Sequence, residues 1–394
     1  MNNIQLAPGV YYVGAVDWNT RDFHGFGTPR GVTYNSYLIV DEKICLIDTV
    51  KAPFADELLE RISQIIDPAK IDYVVVNHVE PDHSSALPIV MQKATNAKVI
   101  LTEAGKAETL KHYHTNYDFQ VVKEGDSLDL GKNKLHFIPL PMLHWPDSMA
   151  SYLDGEEILF SNDAFGQHIC TTKRFDDEND LHDIMYEAAK YYANILMPFG
   201  KLVGKALSKA SQIPIKLIAP SHGIVWRSHI TDILQKYEQW GSNYTTDKVV
   251  IAYDTMWGST EKMARRILDG IAATGVEAKL YKISITDRSE LLKEVLEAKA
   301  VLIGSSTQNN GPLATVGGLM TYLKGLRPAN KFGASFGAYG WGGGAQKVID
   351  EGLASAGIAV EASLSLKWIP DREELDKCFE YGVEFGKKVL AAKK

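Results

Sequence analysis

The sequence predicts an α/β protein of two domains: an αββα sandwich, then a doubly wound parallel domain of five strands. Three observations carry this. In roughly the first 240 residues, short apolar runs repeatedly break into loops that carry His or Asp at the break. From residue 248 onward, strand-like and helix-like patterns alternate strictly, which implies parallel strands with helices on both faces. Between them, Gly241-Ser242-Asn243-Tyr244-Thr245-Thr246-Asp247-Lys248 replaces a helical pattern with small and polar residues. The boundaries follow as 1–245 and 246–394.

The elements follow in order. Tyr37–Val40 and Ile44–Asp48 read as a hairpin across Asp41-Glu42-Lys43. Phe54–Ile66 carries Leu58, Leu59, Ile62, Ile65 and Ile66 at helical spacing. Tyr73–Val76, Val99–Leu101, Leu135–Leu140, Tyr152–Leu153 and Ile158–Phe160 continue as strands, and Leu181–Met197 as a long helix with Ile184, Ala188, Tyr191, Tyr192 and Ile195 on its apolar face. In the second domain strands are expected at about 248–253, 278–283, 300–305, 332–338 and 361–368, with a closing helix over Glu373–Ala392.

The densest chemistry lies in Val76-Asn77-His78-Val79-Glu80-Pro81-Asp82-His83. Four potential ligands fall within six residues, directly after a strand. Two imidazoles and two carboxylates form a mixed N/O set suited to zinc, iron or manganese. His144, Asp163 and His222 each stand where a later apolar run breaks into a loop. This order resembles the metallo-β-lactamase superfamily, which binds two metals at the strand-end edge of an αββα sandwich. Hydrolases of that superfamily usually carry His-x-His-x-Asp-His, and here Glu80 replaces the second His. The set of three carboxylates and four imidazoles is harder and more anionic, which favours redox-active iron or manganese. His-x-Glu-x-Asp-His is the pattern of the flavodiiron proteins.

The second half tests that resemblance. The apolar run Lys248–Tyr253 leads into Asp254-Thr255-Met256-Trp257-Gly258-Ser259-Thr260 and then a helical pattern over Glu261–Thr274. A hydroxyl-rich loop at a helix N-terminus suits a phosphate, although a Ser/Thr-capped helix has the same look. No Gly-x-x-x-x-Gly-Lys is present, so a nucleotide-triphosphate loop is not indicated. Two further loops follow apolar runs: Thr307-Gln308-Asn309-Asn310-Gly311 and Tyr339-Gly340-Trp341-Gly342-Gly343. Both fall at strand C-terminal ends, the ligand edge of an open α/β sheet. Glycines let backbone approach a flat ring, and Tyr339 or Trp341 can lie against it. Three loops in this order resemble the FMN site of flavodoxins.

Composition sets the bounds. At 394 residues, 45% hydrophobic and 23% charged, the chain reads as an ordinary soluble protein of two domains. A net charge of -7 without a basic cluster gives no support for nucleic-acid binding. No signal segment and no membrane-length apolar run is visible, so the cytoplasm is expected. Cys45, Cys170 and Cys378 are far apart and form no Cys-x-x-Cys. The chain therefore carries no rubredoxin-like iron site of its own.

With both halves in agreement, the chain is identified as a member of the flavodiiron family, and the resemblance implies the following. His78, Glu80 and His144 ligate one iron, Asp82, His83 and His222 the other, and Asp163 bridges them. FMN is held by Thr255–Thr260, Thr307–Gly311 and Tyr339–Gly343. The protein reduces O2 to water, NO to nitrous oxide, or both, with electrons from a rubredoxin-like donor. It assembles as a head-to-tail homodimer or a dimer of dimers. His24, in a Gly-rich loop, and Tyr191 or Tyr192 would serve bound oxygen species as hydrogen-bond or proton donors. Two alternatives are a dinuclear zinc hydrolase with a flavodoxin-like regulatory domain, and a non-catalytic flavin carrier with a structural metal site.

Overall fold

The computed structural model describes residues 4–392. The chain forms two compact units, one of residues 1–191 with 201–238 and one of 192–200 with 239–394.

The first unit holds two sheets. One has seven strands in the order Ile4–Ala7, Val10–Tyr12, Tyr37–Val40, Ile44–Ile47, Tyr73–Val75, Lys98–Leu101 and Phe119–Val121. The other has five: Ser127–Asp129, Lys134–Pro139, Met149–Leu153, Ile158–Asn162 and Leu217–Pro220. Side chains on a strand alternate between faces, and the burial follows that period. Tyr37, Ile39, Cys45, Ile47, Val75 and Ile100 point to one side and share a core with Leu135, Phe137, Met149, Leu153, Ile158 and Phe160 of the second sheet. Leu38, Leu46, Val74, Val99 and Leu101 point to the other side. There they meet Leu58 and Ile62 of the helix Ala55–Ser63 and Leu87 and Val90 of the helix Leu87–Met91. Sheet on sheet with helices outside is the expected sandwich. The Tyr37–Val40/Ile44–Ile47 hairpin is present, antiparallel, with Leu38 opposite Leu46.

The long helix expected over Leu181–Met197 is different. Its α-helical part ends at Tyr191, a π-helical turn spans Tyr192–Leu196, and Met197–Phe199 is 3₁₀. Pro198 accounts for the break: it has no N–H for the Asn194 carbonyl and its ring crowds that turn. The wider π turn shifts the helical phase. Tyr192 packs on Trp240 with ring centroids 5.1 Å apart, while its helical neighbour Tyr191 turns to Asp163.

The second unit carries a parallel sheet in the order Glu277–Lys282, Thr246–Tyr253, Ala298–Gly304, Phe332–Tyr339. Its last position is filled by two short strands, Ala359–Val360 and Leu364–Lys367, where one continuous strand was expected. The break falls where Ser363 donates to Asp350 Oδ2 at 2.6 Å and receives the Ser335 hydroxyl at 3.1 Å. The strand order 2-1-3-4-5 is that of a flavodoxin-like sheet. Met263, Ile267 and Ile271 of the helix Ser259–Ala272 and Cys378, Phe385 and Val389 of the helix Arg372–Ala391 cover one face.

Buried Glu294 ties this sheet to its helix Arg288–Leu296. Its carboxylate meets buried Lys248, Lys279 at 2.8 Å and Lys293 at 3.0 Å. Burial raises its pKa, but the Lys248 and Lys279 ammonium groups outweigh that and hold it at about 2, against an ordinary 4.5. A depressed carboxylate pKa stabilises the fold above pH 4.5, and the contribution is lost as pH falls toward 2. Glu294→Ala strands Lys248 without its counter-charge. It is expected to cost about 3–5 kcal/mol in urea unfolding at neutral pH and to flatten the acid limb of stability against pH.

Candidate metal centre and cofactor cleft

Four strand ends build the first site. Tyr73–Val75 delivers His78, and a short helix, Pro81–Ser84, begins at once with Glu80 as its N-cap and carries Asp82 and His83. His144 lies in the turn between Lys134–Pro139 and Met149–Leu153, Asp163 follows Ile158–Asn162, and His222 follows Leu217–Pro220. The sheet register points the strands before His144, Asp163 and His222 the same way, so all three residues emerge at one edge.

The seven residues form two groups. In His78, Glu80, His144 and Asp163, and again in Asp82, His83 and His222, one potential ligand atom from each residue lies within 4.8 Å of the others. Glu80 Oε2 is 3.2 Å from His78 Nε2 and 3.3 Å from His144 Nε2. Asp82 Oδ2 is 3.4 Å from His83 Nε2 and 3.1 Å from His222 Nε2. Asp163 divides its oxygens between the groups. Oδ2 is 3.3 Å from His144 Nε2 and 3.7 Å from His78 Nε2, whereas Oδ1 is 3.2 Å from His83 Nε2 and 3.6 Å from His222 Nε2. A carboxylate shared in this way is the arrangement a bridging ligand needs.

The donor set fits metal ions on a second ground. Asp82 Oδ1, Asp163 Oδ2 and both ring nitrogens of His83 are buried with no hydrogen-bond partner. Buried polar atoms left so are costly, and ligation would satisfy them. Electrostatics agree. Burial alone would lower the imidazole pKa of His83 and His144, but the surrounding carboxylates outweigh it and raise both to about 9. The cluster thus attracts positive charge, which a metal pair would supply in place of protons.

Outer partners orient the ring nitrogens. His78 Nδ1–H donates to Asp147 at 3.1 Å, and the Val79 amide donates to the same carboxylate at 2.6 Å. His222 Nδ1–H donates to the Thr33 carbonyl at 2.6 Å. In both residues Nε2 is left to face the cluster, as metal-ligating His requires. Sequence reading passed over Asp147, although it stands three residues after His144. Tyr191 donates its hydroxyl to Asp163 Oδ1 at 2.9 Å. His24, at a positive φ of 56°, brings Nε2 to 3.6 Å from Glu80 Oε1. Tyr192 is not part of this cluster. His168, given no role from sequence, is buried beside Tyr191 and His222 with ring centroids 4.9 and 5.4 Å away.

The second site is a cleft of about 530 Å³ at the strand ends of the parallel sheet, a size that suits a cofactor. Met256, Trp257, Ser259, Thr307, Asn309, Asn310, Tyr339, Gly340, Trp341 and Gly342 line it, joined by Ser306, Ala338, Trp368 and Ile369. All three expected loops are therefore brought together. Thr255, Gly258, Thr260, Gln308, Gly311 and Gly343 belong to the same loops but are not among the lining residues. Thr255 Oγ1 accepts from the Gly258 amide at 3.1 Å, and buried Thr260 meets Ser306 Oγ at 3.2 Å. Gln308 and Gly311 pair across a two-residue turn, Asn309-Asn310, with φ of 50° and 62°, the conformation tight hairpins favour. Gly258 begins the helix Ser259–Ala272 at φ 84° with no side-chain cap, so that helix end is open to an anion. Trp368 was missed. As an aromatic just past the strand Leu364–Lys367 it sits at the ligand edge, a position its sequence context indicates.

Comparison with known proteins bears on both sites. The ODP family β-lactamase model matches residues 32–223 and the flavodoxin model residues 251–382. Over 393 residues the chain is 51% identical to the nitric oxide reductase of Moorella thermoacetica, covering 98% of each protein. The structure matches the rubredoxin oxygen:oxidoreductase of Desulfovibrio gigas with a TM-score of 0.96 at 40% identity, over 99% of this chain and 100% of that one. It matches the flavodiiron protein of Giardia intestinalis with a TM-score of 0.97 at 37% identity, over 99% and 97%. The chain belongs to the flavodiiron protein family. It is a flavodiiron oxidoreductase whose cofactors are FMN and a non-haem diiron centre. The zinc-hydrolase alternative is not favoured. Among the described residues, no helix is long and apolar enough to cross a membrane.

Proposed function

We propose that this flavodiiron protein reduces nitric oxide to nitrous oxide, dioxygen to water, or both. In this reading His78, Glu80 and His144 hold one iron, Asp82, His83 and His222 the other, and Asp163 bridges them. The single observation that supports it most is the division of Asp163, one oxygen toward each ligand group, with the carboxylate of Glu80 where a hydrolase would carry an imidazole. Relatives named for each gas, the Moorella nitric oxide reductase and the Desulfovibrio oxygen oxidoreductase, support keeping both substrates.

When bound, the iron pair supplies adjacent electrons to a diatomic gas and FMN stores the electrons that replace them. The chain's residues hold and protonate. Asp147 and the Thr33 carbonyl fix the His78 and His222 rings. Burial and the charge of Asp163 push the Tyr191 phenol well above its ordinary pKa, so Tyr191 stays a neutral donor at Asp163 Oδ1. Exposed His24 offers Nε2 at the Glu80 side as a proton link to solvent. Phe23 backs its ring at 4.5 Å.

We place FMN in the cleft of the second domain, held by Thr255–Thr260, Thr307–Gly311 and Tyr339–Gly343, with the diiron domain at 1–245 and the flavin domain at 246–394. A rubredoxin-like carrier supplies electrons, the working form is a head-to-tail homodimer or a dimer of dimers, and the compartment is the cytoplasm. Trp257 and Trp341 support a covered flavin face: both line the cleft yet are 88% and 90% exposed in the single chain, an apolar rim suited to a partner surface.

Metal and flavin analysis of the purified protein, followed by anaerobic single-turnover assays with each gas, tests the proposal. Iron near two per chain with bound FMN and gas consumption are expected; two zinc ions and no gas consumption would overturn it. For the flavin site, Ser259→Ala with Thr260→Ala removes two hydroxyls next to the open helix end. Hydrogen bonds to a charged group are worth about 1.5–3 kcal/mol each, so FMN dissociation should rise at least about tenfold while iron is retained. Unchanged flavin affinity would place the phosphate elsewhere.

A further inference from the structure

We propose that Trp368 is a positioning residue of the FMN site. Its indole seats on the Gly340 backbone and beside Trp341, and so holds the Tyr339–Gly343 loop in shape for the flavin. This rests on the FMN reading of the cleft above and adds to it a support from the strand Leu364–Lys367.

The loop needs a support. Gly340, Gly342, Gly343 and Gly344 surround Trp341, and glycine gives up more backbone freedom on ordering than any other residue. Trp341 itself is 90% exposed. Ordering such a loop opposes ligand binding unless the chain has already ordered it. Trp368 is placed to do so. The strand Leu364–Lys367 runs parallel to Phe332–Tyr339 with Lys367 opposite Tyr339, and the Trp368 amide donates to the Tyr339 carbonyl at 2.7 Å. Its ring then reaches the next residue of the loop. A Cβ on Gly340 would stand 3.0 Å from Cη2 and Cζ3 of Trp368, and the three nearest atoms it would meet all belong to that ring. The Trp368 and Trp341 ring centroids are 5.9 Å apart with the planes tilted by 50°, within the range in which aromatic pairs attract. Both residues line the cleft.

The backbone of Trp368 is a second, independent sign. Its φ is 64°, in the left-handed region that disfavours any residue with a Cβ and is an outlier for a bulky one. Glycine or asparagine is the ordinary occupant of such a position. An indole left 55% exposed contributes little to the core of the domain. Strain of this kind persists where the surroundings over-determine it, and it clusters at ligand clamps. Here the left-handed turn is what carries the ring off the end of the strand and onto Gly340.

The test compares Trp368→Phe, which keeps an aromatic ring, with Trp368→Gly, which removes it, in the full-length holoprotein. The readouts are the rate of FMN release on dilution, the visible circular dichroism of the bound flavin, and thermal melting of the FMN-depleted chain. An aromatic pair is worth roughly a two- to twelvefold change in an equilibrium. Trp368→Gly should therefore release FMN about fivefold faster and alter the flavin dichroism, while Trp368→Phe stays within about twofold of wild type. Glycine accepts the left-handed backbone, so the FMN-depleted Trp368→Gly chain should melt no lower than wild type. Gly340→Ala should speed FMN release in the wild-type background, because its methyl meets the Trp368 ring, and add nothing in Trp368→Gly. Wild-type FMN release in Trp368→Gly, faster release accompanied by a lower melting point of the FMN-depleted chain, or an equal Gly340→Ala effect with and without Trp368 would each overturn the inference. A wild-type chain that holds no FMN would instead defeat the reading of the cleft, and the inference with it.

Discussion

Glu80→His should turn the centre away from iron and abolish gas reduction while leaving FMN in place. Glu80 Oε2 stands 3.2 and 3.3 Å from the Nε2 atoms of His78 and His144, so it contributes an anionic oxygen to that half of the site. Burial opposes its charge, but His144 and His78 overcome this and keep the carboxylate ionised well below the ordinary range. An imidazole in its place removes one negative charge and substitutes a neutral nitrogen. Carboxylate oxygen suits iron, whereas a half-site of three imidazoles beside the shared Asp163 suits zinc better. Losing an outer partner of a ligand costs roughly 10–100-fold in affinity or activity; exchanging the ligand itself should cost more. Metal analysis should therefore show less iron and more zinc, and turnover with O2 and NO should fall below detection. The flavin absorption spectrum should be unchanged, because the Ser259 and Trp341 cleft is built by separate loops. Normal iron content with normal turnover would remove Glu80 from the centre.

The clustered ligand-type residues were legible in the sequence because most obey a local rule: a polar, ligand-type residue just after a buried strand. His78, His144, Asp163 and His222 follow it, and the fold brings them together with Glu80, Asp82 and His83. It does not reach residues that act through another side chain. Asp147 matters because the fold sets it under His78 Nδ1, and that relation has no sequence period. The choice between Tyr191 and Tyr192 was also hidden. Both occupy an apolar helical pattern; neighbours on a helix point about 100° apart, and only the packing shows that Tyr191 is the one that faces Asp163 while Tyr192 meets Trp240. The parallel sheet was easier to read because its long runs, such as Lys248–Tyr253, are buried on both faces. Its last strand was read as continuous although Ser363 bonds to Asp350 and interrupts it.

Two inactive variants should restore one another if electrons cross between chains. The first, His83→Ala with Asp163→Ala, loses a ligand from one metal group and the shared carboxylate from both, yet its flavin loops are intact. The second carries changes across Thr255–Thr260 that empty the flavin cleft but leave the metal ligands alone. In a head-to-tail dimer the FMN of one chain faces the diiron centre of the other. A mixed dimer then has one complete pair, with its flavin on the first chain and its irons on the second. Random mixing makes half the dimers mixed, and each has one working pair of two, so activity should return to roughly a quarter of wild type. The exposed rim of Trp257 and Trp341 gives such a dimer an apolar surface to cover. Changing both to Ser should weaken assembly and, with it, the recovered activity. Sedimentation of the mixture measures the dimer, and anaerobic gas consumption measures the crossing. A mixture that dimerises fully and stays inactive would show that electrons pass within one chain; a protein that is active as a monomer would dispose of the head-to-tail arrangement altogether.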